Sequence, residues 1–597
     1  MKKILLFLLL IAQAAVGQQV ERPLVKADRL QGLPASSFWS KPDTGANGKL
    51  AGYYSTIQAL ATKWALSDTT STLETKTYNN SKLGLKVNKA NWDGETTHST
   101  FTSAPLLSVT TQQGYNEAVD QYITNYRTSY QGLAWNEVTD TYARLGSLSG
   151  LATSVSPGNG NLPVQGKMRG CLLKDDGTVN YYLNAYDWAY KEDGTASTLT
   201  GADGQVMVQI PAFYIKYEKY GNWHAWYISL YPLTGYTLHP AFTKDGVNVA
   251  YRYIGAYEGI LYDNSASLYA NGLYLPADTV TFASADSTIT IEGSFPTNGF
   301  TSLAAGDKIK ITGTTSNNST FTVKTIGDKH IHVVEVPTNE TSNAAVIQNE
   351  RDYTATTGDK LCSVSGKVPI TYLRMGNSRV LATNVGAGWR QLDYDLVNAL
   401  EWLILTEYGT FYIQNIPEIG PGITNITGWD KYSNYNPFAT SGNGNGIGNA
   451  TGDNAGNVAV GTEKTKYLRY RGIENFYGHI YKWVDGININ ANVPYVTNNS
   501  AAWANGTSTG YTNTGVTLAS SNGYASTLVN SSRVMLPSAV TGAAGTFITD
   551  NYYPSTGWRV AAFGGDADDG ANAGTWYWFL YYDSGLASQK FGARLAF

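Results

Sequence analysis

The chain has 597 residues, enough for three to five domains at roughly 100–200 residues each. Charged residues make up only 15% of it and apolar residues 42%, a balance that argues against intrinsic disorder and is typical of a folded, β-rich chain whose surface is polar but uncharged. The formal net charge is −4 and no basic block occurs, so neither nucleic acid nor an anionic membrane is an expected partner.

The first 17 residues have the three parts of a secretory signal peptide. Two lysines precede an apolar run from Ile4 to about Ala15, and a small-residue cleavage site ends at Gly17. The run is too short to span a bilayer as an anchor, and no later stretch is long enough to do so. We therefore expect export, with a mature chain that begins at Gln18 and acts outside the cell or at its surface. A retained, docked N-terminal helix is the alternative.

Residues 18–130 predict a separate α+β module for attachment or oligomerisation. Apolar residues recur every three or four positions between Lys49 and Asp68, and again between Tyr115 and Tyr126, which indicates two helical faces. We expect these aromatic stripes to form core or an oligomer seam rather than a ligand site.

Residues 275–351 predict an inserted β module that acts as a spacer. Short alternating apolar runs are separated by Gly-Asp and Asn-Asn turns, which indicates a small antiparallel barrel or sandwich. His330 and His332 would share one face of a strand. Because no third ligand has suitable spacing, we expect two solvent-facing histidines rather than a metal site.

The segments on either side of this module, 131–274 and 352–597, predict two parts of one domain. Its motifs are MRGCLLKDDGTVNYYLN (168–184), ADGQVMVQIPAFYIKYEKYGNWHAWYIS (202–229), GWRQLDYDLVNALEWLILTEYGTF (388–411), YRGIENFYGHIYKWVDG (470–486) and the closing segment 558–597. Together they resemble the tail-fibre and receptor-binding proteins of tailed bacteriophages that end in a C-type-lectin-like domain of the formylglycine-generating-enzyme type. The resemblance implies a β-rich α+β fold in which the inserted β module interrupts the lectin-like domain.

Local patterns agree with this division. DYDLVNALEWLILTEYG places its apolar residues on one helical face and ends at Gly409, which predicts one amphipathic helix. Alternation around Val206 is broken at Pro211, as at a strand bend or edge. The resemblance implies that Trp483 and the Glu474-Asn475 pair support the last strands rather than contact ligand.

Six of the seven residues in 576–582 are aromatic, which makes the C-terminal segment the predicted site. Strand alternation would bury Trp576, Trp578 and Leu580 and leave three aromatic side chains on the other face. Upstream, the glycine-rich loop 564–570 holds three carboxylates that cannot all be buried without partners. Aromatic rings beside acid and amide groups suit a binding surface. The alternative is a core strand with a solvated acidic turn.

The same segment resembles the variable region of proteins diversified by retroelements. Its frame here is Gly564, Gly565, Gly570, Gly574 and the sequence GAR at 592–594, although Asp566-Ala567 replaces the Ser-Trp common in relatives. The resemblance implies that the positions between the frame residues face ligand. The predicted ligand-binding residues are Phe563, Asp566, Asp568, Asp569, Asn572, Tyr577, Phe579, Tyr581, Tyr582, Asp583 and Ser584.

The predicted function is recognition of a cell-surface glycan or protein, as in a phage tail fibre or host-attachment protein; a secreted bacterial adhesin or structural protein is the alternative. Relatives of this fold oxidise cysteine to formylglycine, which requires cysteines in the C-terminal half, and none follows Cys362. A glycoside hydrolase using the carboxylates of loop 564–570 is less favoured. We therefore predict a protein with no catalytic residues.

Cofactors and partners are weakly indicated by the sequence. Calcium is a weak option at the acidic loop and at residues 449–457, where oxygen ligands lack the charge and spacing of a strong site. Cys171 and Cys362, the only cysteines, exclude a disulfide framework and leave either one disulfide or two buried thiols. Fibre-type relatives are commonly trimeric, which makes a homotrimer an expected assembly.

Overall fold

The computed structural model describes residues 129–264, 267–269, 274–292, 303, 305–349, 358–425, 440–452, 457–460, 463–531 and 533–597. The predicted signal peptide and all but the last two residues of the predicted N-terminal module lie outside the described residues. The described part is rich in strands and contains two α-helices, which agrees with the predicted β-rich α+β class. No helix within it is long and apolar enough to cross a membrane.

The strands before residue 264 build the first part of the main body. They are β1 (Gln131–Asn136), β2 (Thr141–Gly146), β3 (Arg169–Leu173), β4 (Val179–Tyr182), β5 (Gln205–Pro211), β6 (Tyr214–Tyr220), β7 (Trp223–Ser229), β8 (Thr237–Leu238), β9 (Thr243–Lys244), β10 (Val247–Asn248), β11 (Tyr251–Gly255) and β12 (Ile260–Asp263). Pro211 ends β5, as the broken alternation predicts.

Strands predominate among the described residues of the middle stretch. It contains β13 (Leu268–Tyr269), β14 (Tyr274–Ala283), β15 (Thr288–Ile291), β16 (Lys308–Thr312), β17 (Thr320–Ile326), β18 (His330–Val333) and β19 (Glu340–Asn349). Strands β14 to β19 close into an antiparallel barrel in the order β14-β15-β18-β17-β16-β19, with its own apolar core. This barrel occupies the range in which the sequence predicts a barrel or sandwich.

The last stretch holds the two α-helices, α1 (Met375–Thr383) and α2 (Tyr394–Tyr408). Its strands are β20 (Lys360–Cys362), β21 (Arg390–Gln391), β22 (Asn457–Val460), β23 (Glu463–Lys466), β24 (Arg469–Tyr470), β25 (Ile473–Glu474), β26 (Tyr481–Asn490), β27 (Val493–Val496), β28 (Thr512–Asn513), β29 (Gly523–Tyr524), β30 (Thr527–Asn530), β31 (Met535–Ala539), β32 (Asn551–Pro554), β33 (Trp558–Phe563), β34 (Trp578–Leu580), β35 (Phe591–Gly592) and β36 (Leu595–Ala596).

Strand pairing joins the segments before and after the barrel into one body. A six-stranded sheet runs β21-β36-β11-β5-β3-β4, so β36 pairs with β11 through Ile254 and Ala596. Next to the barrel, β12 pairs antiparallel with β20, and Tyr262 lies opposite Lys360. The chain therefore leaves the body and returns to it at neighbouring positions.

The body contains two further large sheets, besides several of two or three strands. One runs β2-β1-β7-β6-β8. The other runs β28-β27-β26-β33-β34-β32-β29, with β35 pairing separately with β26. This second sheet is formed wholly by residues from Tyr481 onward, and it carries the predicted ligand-binding segment.

Helix α2 belongs to the most extensive apolar cluster of the described residues. The Asp393 carboxylate accepts the Leu396 N–H at 3.0 Å as an N-cap, and Gly409 ends the helix with φ 67°, a conformation that suits glycine. The predicted bounds are confirmed, but the predicted amphipathic character is wrong because every residue of the helix is buried. Polar residues such as Glu401 are therefore enclosed as well.

Buried polar side chains tie the last strands to the body. The Arg594 guanidinium donates to the backbone carbonyls of Gly255, Glu474 and Asn475 at 2.8, 2.6 and 2.9 Å. Trp483, also buried, donates its indole N–H to the Leu373 carbonyl at 2.7 Å. The supporting role that the resemblance implies for residues 474, 475 and 483 stays a prediction.

The two cysteines are both buried and unpaired. Burial raises the pKa of Cys362 to about 12 and raises that of Cys171 further. Of the two states that the sequence leaves open, the structure has the free thiols. A raised pKa of this kind keeps the thiol protonated near neutral pH.

Candidate ligand-binding site

The predicted site lies around the short strand β34. This strand pairs antiparallel with β33 on one side and parallel with β32 on the other, with Pro554 opposite Leu580. Because β32 and β34 are parallel, their C-terminal ends lie at the same end of the sheet. The turn from β32 to β33 therefore lies beside the residues that follow β34. A backbone hydrogen bond from the Val560 N–H to the Tyr582 carbonyl, at 3.3 Å, holds that chain against β33.

One face of this segment belongs to the main core, as the alternation predicts. Trp576, Trp578 and Leu580 are each at most 1% exposed and join the same apolar cluster as helix α2. The Trp578 indole donates to a Glu401 carboxyl oxygen at 3.0 Å, and its ring lies 5.3 Å from that of Tyr394. Burial raises the pKa of Glu401 well above its usual value.

The other face carries a second cluster of rings whose exposure increases along the chain. Tyr577 is 3% exposed, Phe579 is half-buried, and Tyr581 is 42% exposed. Phe579 stacks on Tyr553 at 5.2 Å with an interplanar angle of 13°. The Tyr577 hydroxyl lies 3.0 Å from that of Tyr481, which closes the inner end of the cluster.

The glycine-rich loop before β34 is built as its glycines require. Gly565 has φ 78°, and a Cβ added there would lie 2.6 Å from the Ala573 Cβ. A Cβ on Gly574 would lie 2.2 Å from the Asp550 carboxylate. A side chain at either position would displace the loop, and this steric constraint explains why glycine occupies both of these frame positions.

Two carboxylates of this loop point inward and one is exposed. Asp566 is 1% exposed and forms an ion pair with Lys590 at 3.0 Å. The half-buried Asp569 accepts the Tyr481 hydroxyl at 2.6 Å and the Asp566 N–H at 2.8 Å. Asp568 is exposed, and its Oδ2 lies 3.7 Å from the Lys590 ammonium.

Burial changes the protonation of this loop. Desolvation, followed by the charge on Asp569, raises the pKa of Asp566 to about 7, although Lys590 acts in the opposite direction. Desolvation also raises the pKa of Asp569 above its usual value. Near neutral pH the pair therefore carries less negative charge than two exposed aspartates would.

Three predicted residues are removed from any surface that a ligand could contact. Phe563 is fully buried against Trp578 and Phe476, Asp566 is buried beside Lys590, and Tyr577 is buried under Tyr481. The prediction of direct ligand contact was wrong for these three. The acidic loop and the β34 segment both pack against the main body, so some of their side chains point into it rather than to solvent.

The structure brings three other predicted residues together at an open depression. Its volume is about 310 Å³, and Tyr581, Tyr582 and Asp583 form one side of it. Ser555, Arg559 and Leu586, which sequence reasoning missed, form the rest. Ser555 comes from the turn after β32, and Arg559 is the second residue of β33. Only the pairing of β32, β33 and β34 shows that these residues are neighbours of the tyrosines.

The remaining predicted residues lie outside the lining of the depression. Asp568 is exposed on the acidic loop, and Ser584 is half-buried after β34. The half-buried Asn572 accepts a hydrogen bond from the Asn551 amide at 3.2 Å. Phe579 contributes through its contacts with the rings of Tyr581 and Tyr582, at 6.1 and 5.4 Å between centroids.

Of the two places that the sequence left open for calcium, the acidic loop is described in full, whereas residues 453–456 of the second lie outside the described residues. In the described part of the chain, no group of three His, Cys, Asp or Glu side chains is arranged to hold a metal ion. Lys590 occupies the space between Asp566 and Asp568, and the Asn449 side chain accepts the Gly170 N–H at 2.9 Å. His330 and His332 share a face, with ring centroids 5.3 Å apart.

No protein-family model matches this chain, and no curated protein matches it.

Proposed function

We propose that this protein is a receptor-binding protein that recognises a cell-surface glycan or protein through a C-type-lectin-like domain, without modifying its ligand. In this proposal the binding surface is the region around Tyr581, Tyr582 and Asp583, and its exposed positions are sites of retroelement diversification. The motifs at 470–486 and 558–597 support a place among phage tail-fibre or host-attachment proteins. Export and a trimeric assembly belong to the same proposal.

The observation that carries the proposal is the placement of two adjacent exposed tyrosines on a support of packed aromatic rings. Tyr581 and Tyr582 are 42% and 37% exposed, and their rings meet edge to face at 5.1 Å. Both contact Phe579, which is itself fixed by stacking on Tyr553. Tyrosines held in this way offer contact area at low cost in conformational entropy, a property typical of protein paratopes.

The direct test is binding of the full chain to a panel of bacterial cells and to a glycan array, with single tyrosine variants. Tyr581→Ala and Tyr582→Ala should each weaken binding by roughly 1–3 kcal/mol, because central aromatic anchors carry most of the energy of an interface. Tyr186→Ala is the matched control, since Tyr186 is 83% exposed on another part of the body. It should bind like the parent.

Two results would contradict the proposal. One is unchanged binding by both site variants, which would place the contact surface elsewhere. The other is release of sugar products from any glycan on the array, because the proposal excludes turnover. Thermal unfolding of each variant must accompany these measurements, so that loss of binding is not mistaken for loss of fold.

A further inference from the structure

The depression contains one cation without an anionic partner. The Arg559 guanidinium donates to the Trp558 carbonyl at 2.9 Å and to the Ser555 hydroxyl at 3.3 Å. Its Nε is shielded from solvent and has no acceptor among the described residues. No carboxylate in the described part of the chain lies within 4.0 Å of this half-buried guanidinium. A partly desolvated arginine of this kind is well suited to an anionic group.

One anion faces the same space. Asp583 is exposed, and its Oδ1 accepts the Gly585 N–H at 2.8 Å. Among the described residues it has no cationic partner, and it does not pair with Arg559. Its second oxygen is therefore suited to accept hydrogen bonds from ligand hydroxyls. Its charge also disfavours doubly charged groups such as phosphate more strongly than a singly charged carboxylate.

The rest of the lining favours a sugar over a peptide side chain. Ser555, Tyr581 and Tyr582 supply hydroxyl groups that both donate and accept hydrogen bonds, and Leu586 is the one aliphatic side chain in the lining. The two tyrosine rings are nearly perpendicular, at 88°, so they present two differently oriented aromatic surfaces to one bound group. A volume of about 310 Å³ lies at the lower end of ligand sites, which suits a single ring.

We infer that this depression binds a carboxylate-bearing sugar, with the carboxylate on Arg559 and ring hydroxyls on Asp583. The inference rests on the proposed function, because it names the ligand class of the same site. In this arrangement the guanidinium recognises the planar carboxylate, while the tyrosines contact the sugar ring.

The test compares acids with their neutral esters. Glucuronate, galacturonate and N-acetylneuraminate, each beside its methyl ester, are titrated into the full chain and followed by saturation-transfer NMR. At least one acid should bind about tenfold or more tightly than its ester, because a guanidinium–carboxylate pair is a charge-assisted contact. Arg559→Gln should remove this preference, and Arg559→Lys should retain only part of it, because lysine keeps the charge but lacks the planar fork.

The control is Lys324→Gln, which removes one positive charge from the exposed surface of the barrel and should leave the preference intact. Equal binding of every acid and its ester would overturn the inference, as would stronger binding of N-acetyl-aspartate amide or of inorganic sulfate. An unchanged preference in folded Arg559→Gln would also overturn it. If these sugars fail while Tyr581→Ala still abolishes cell binding, the ligand class is wrong and the proposed function stands. If Tyr581→Ala and Tyr582→Ala both keep parental cell binding, the proposed function itself has failed.

Discussion

Truncation of Trp578 should destabilise the protein far more than truncation of Tyr581, although only two residues separate them. Trp578 is fully buried on the core face of β34, whereas Tyr581 is 42% exposed at the far end of the segment. The pair therefore separates the packing role of this aromatic run from its proposed binding role. The substitutions are Trp578→Ala and Tyr581→Ala.

The expected magnitudes follow from burial and contacts. Burying an indole removes about 150–250 Å² from water, which at about 25 cal/mol per Å² corresponds to roughly 4–6 kcal/mol. Measured costs of large-to-alanine substitutions at aromatic core sites are about 3–5 kcal/mol. Trp578→Ala also removes the donor to Glu401, which adds about 1 kcal/mol. Tyr581 has ring contacts with Tyr553, Phe579 and Tyr582, and its loss should cost at most about 2 kcal/mol.

Equilibrium urea unfolding, followed by near-ultraviolet circular dichroism, measures both changes. Trp578→Phe is an informative intermediate, because it keeps an aromatic ring and removes only the indole donor and part of the volume. A loss below about 1 kcal/mol for Trp578→Ala would show that β34 does not pack as described. An equally large loss for Tyr581→Ala would show that this tyrosine belongs to the core, which would remove it from the proposed site.

Three further outcomes are expected. Replacing residues 275–351 by a short Gly-Ser linker should leave a soluble body that melts cooperatively, because β12 and β20 already pair beside the two junctions; aggregation on removal of the barrel would contradict this. The parent protein should lose free energy of unfolding between pH 5 and pH 8. In Asp550→Asn this loss should be smaller by at least about 1 kcal/mol, measured by urea unfolding. Burial raises the pKa of Asp550 to about 8, so the folded state binds the proton more tightly than the unfolded state, and the stability contributed by that proton is lost as pH rises. Arg471→Met should cost about 3–5 kcal/mol in the same assay, because it leaves the buried Glu407 carboxylate without its bidentate partner; a change below about 1 kcal/mol would contradict this.

The periodicity of apolar residues predicted those parts of the fold in which residues in contact are also close in sequence. The bounds of helix α2 follow from its apolar spacing and from Gly409, and the core face of 576–580 follows from alternation. Alternation could not predict that Tyr577 is buried as well, because the cover over it comes from Tyr481 on a distant strand. For the same reason the polar residues of α2 are buried although the sequence places them on an outward face.

The sequence predicted only part of the candidate site. Its tyrosines stand in a run of aromatic residues that is visible in the sequence, whereas nothing in the sequence around Arg559 marks it as part of the site. Tyr581, Tyr582 and Asp583 are consecutive, so composition alone drew attention to them. Arg559 lies in an ordinary strand sequence, and only the order of β33, β34 and β32 places it at the same depression. Conversely, the glycine frame favoured Asp566 as a ligand contact, but the Lys590 ammonium that pairs with it comes from beyond the run.

The contacts of Arg594 bear on how this protein folds during synthesis. Its guanidinium reaches the Gly255 carbonyl across 339 residues of chain, and β36, immediately after it, occupies an interior position of the six-stranded sheet. That sheet therefore stays open on the ribosome until residues 594–596 emerge, with β11 unpaired on one side in the meantime. Pairings of such long sequence separation are formed slowly and expose strand edges while they wait. The body therefore closes late, whereas the barrel, whose strands all lie between residues 274 and 349, is able to close before the C-terminal residues emerge.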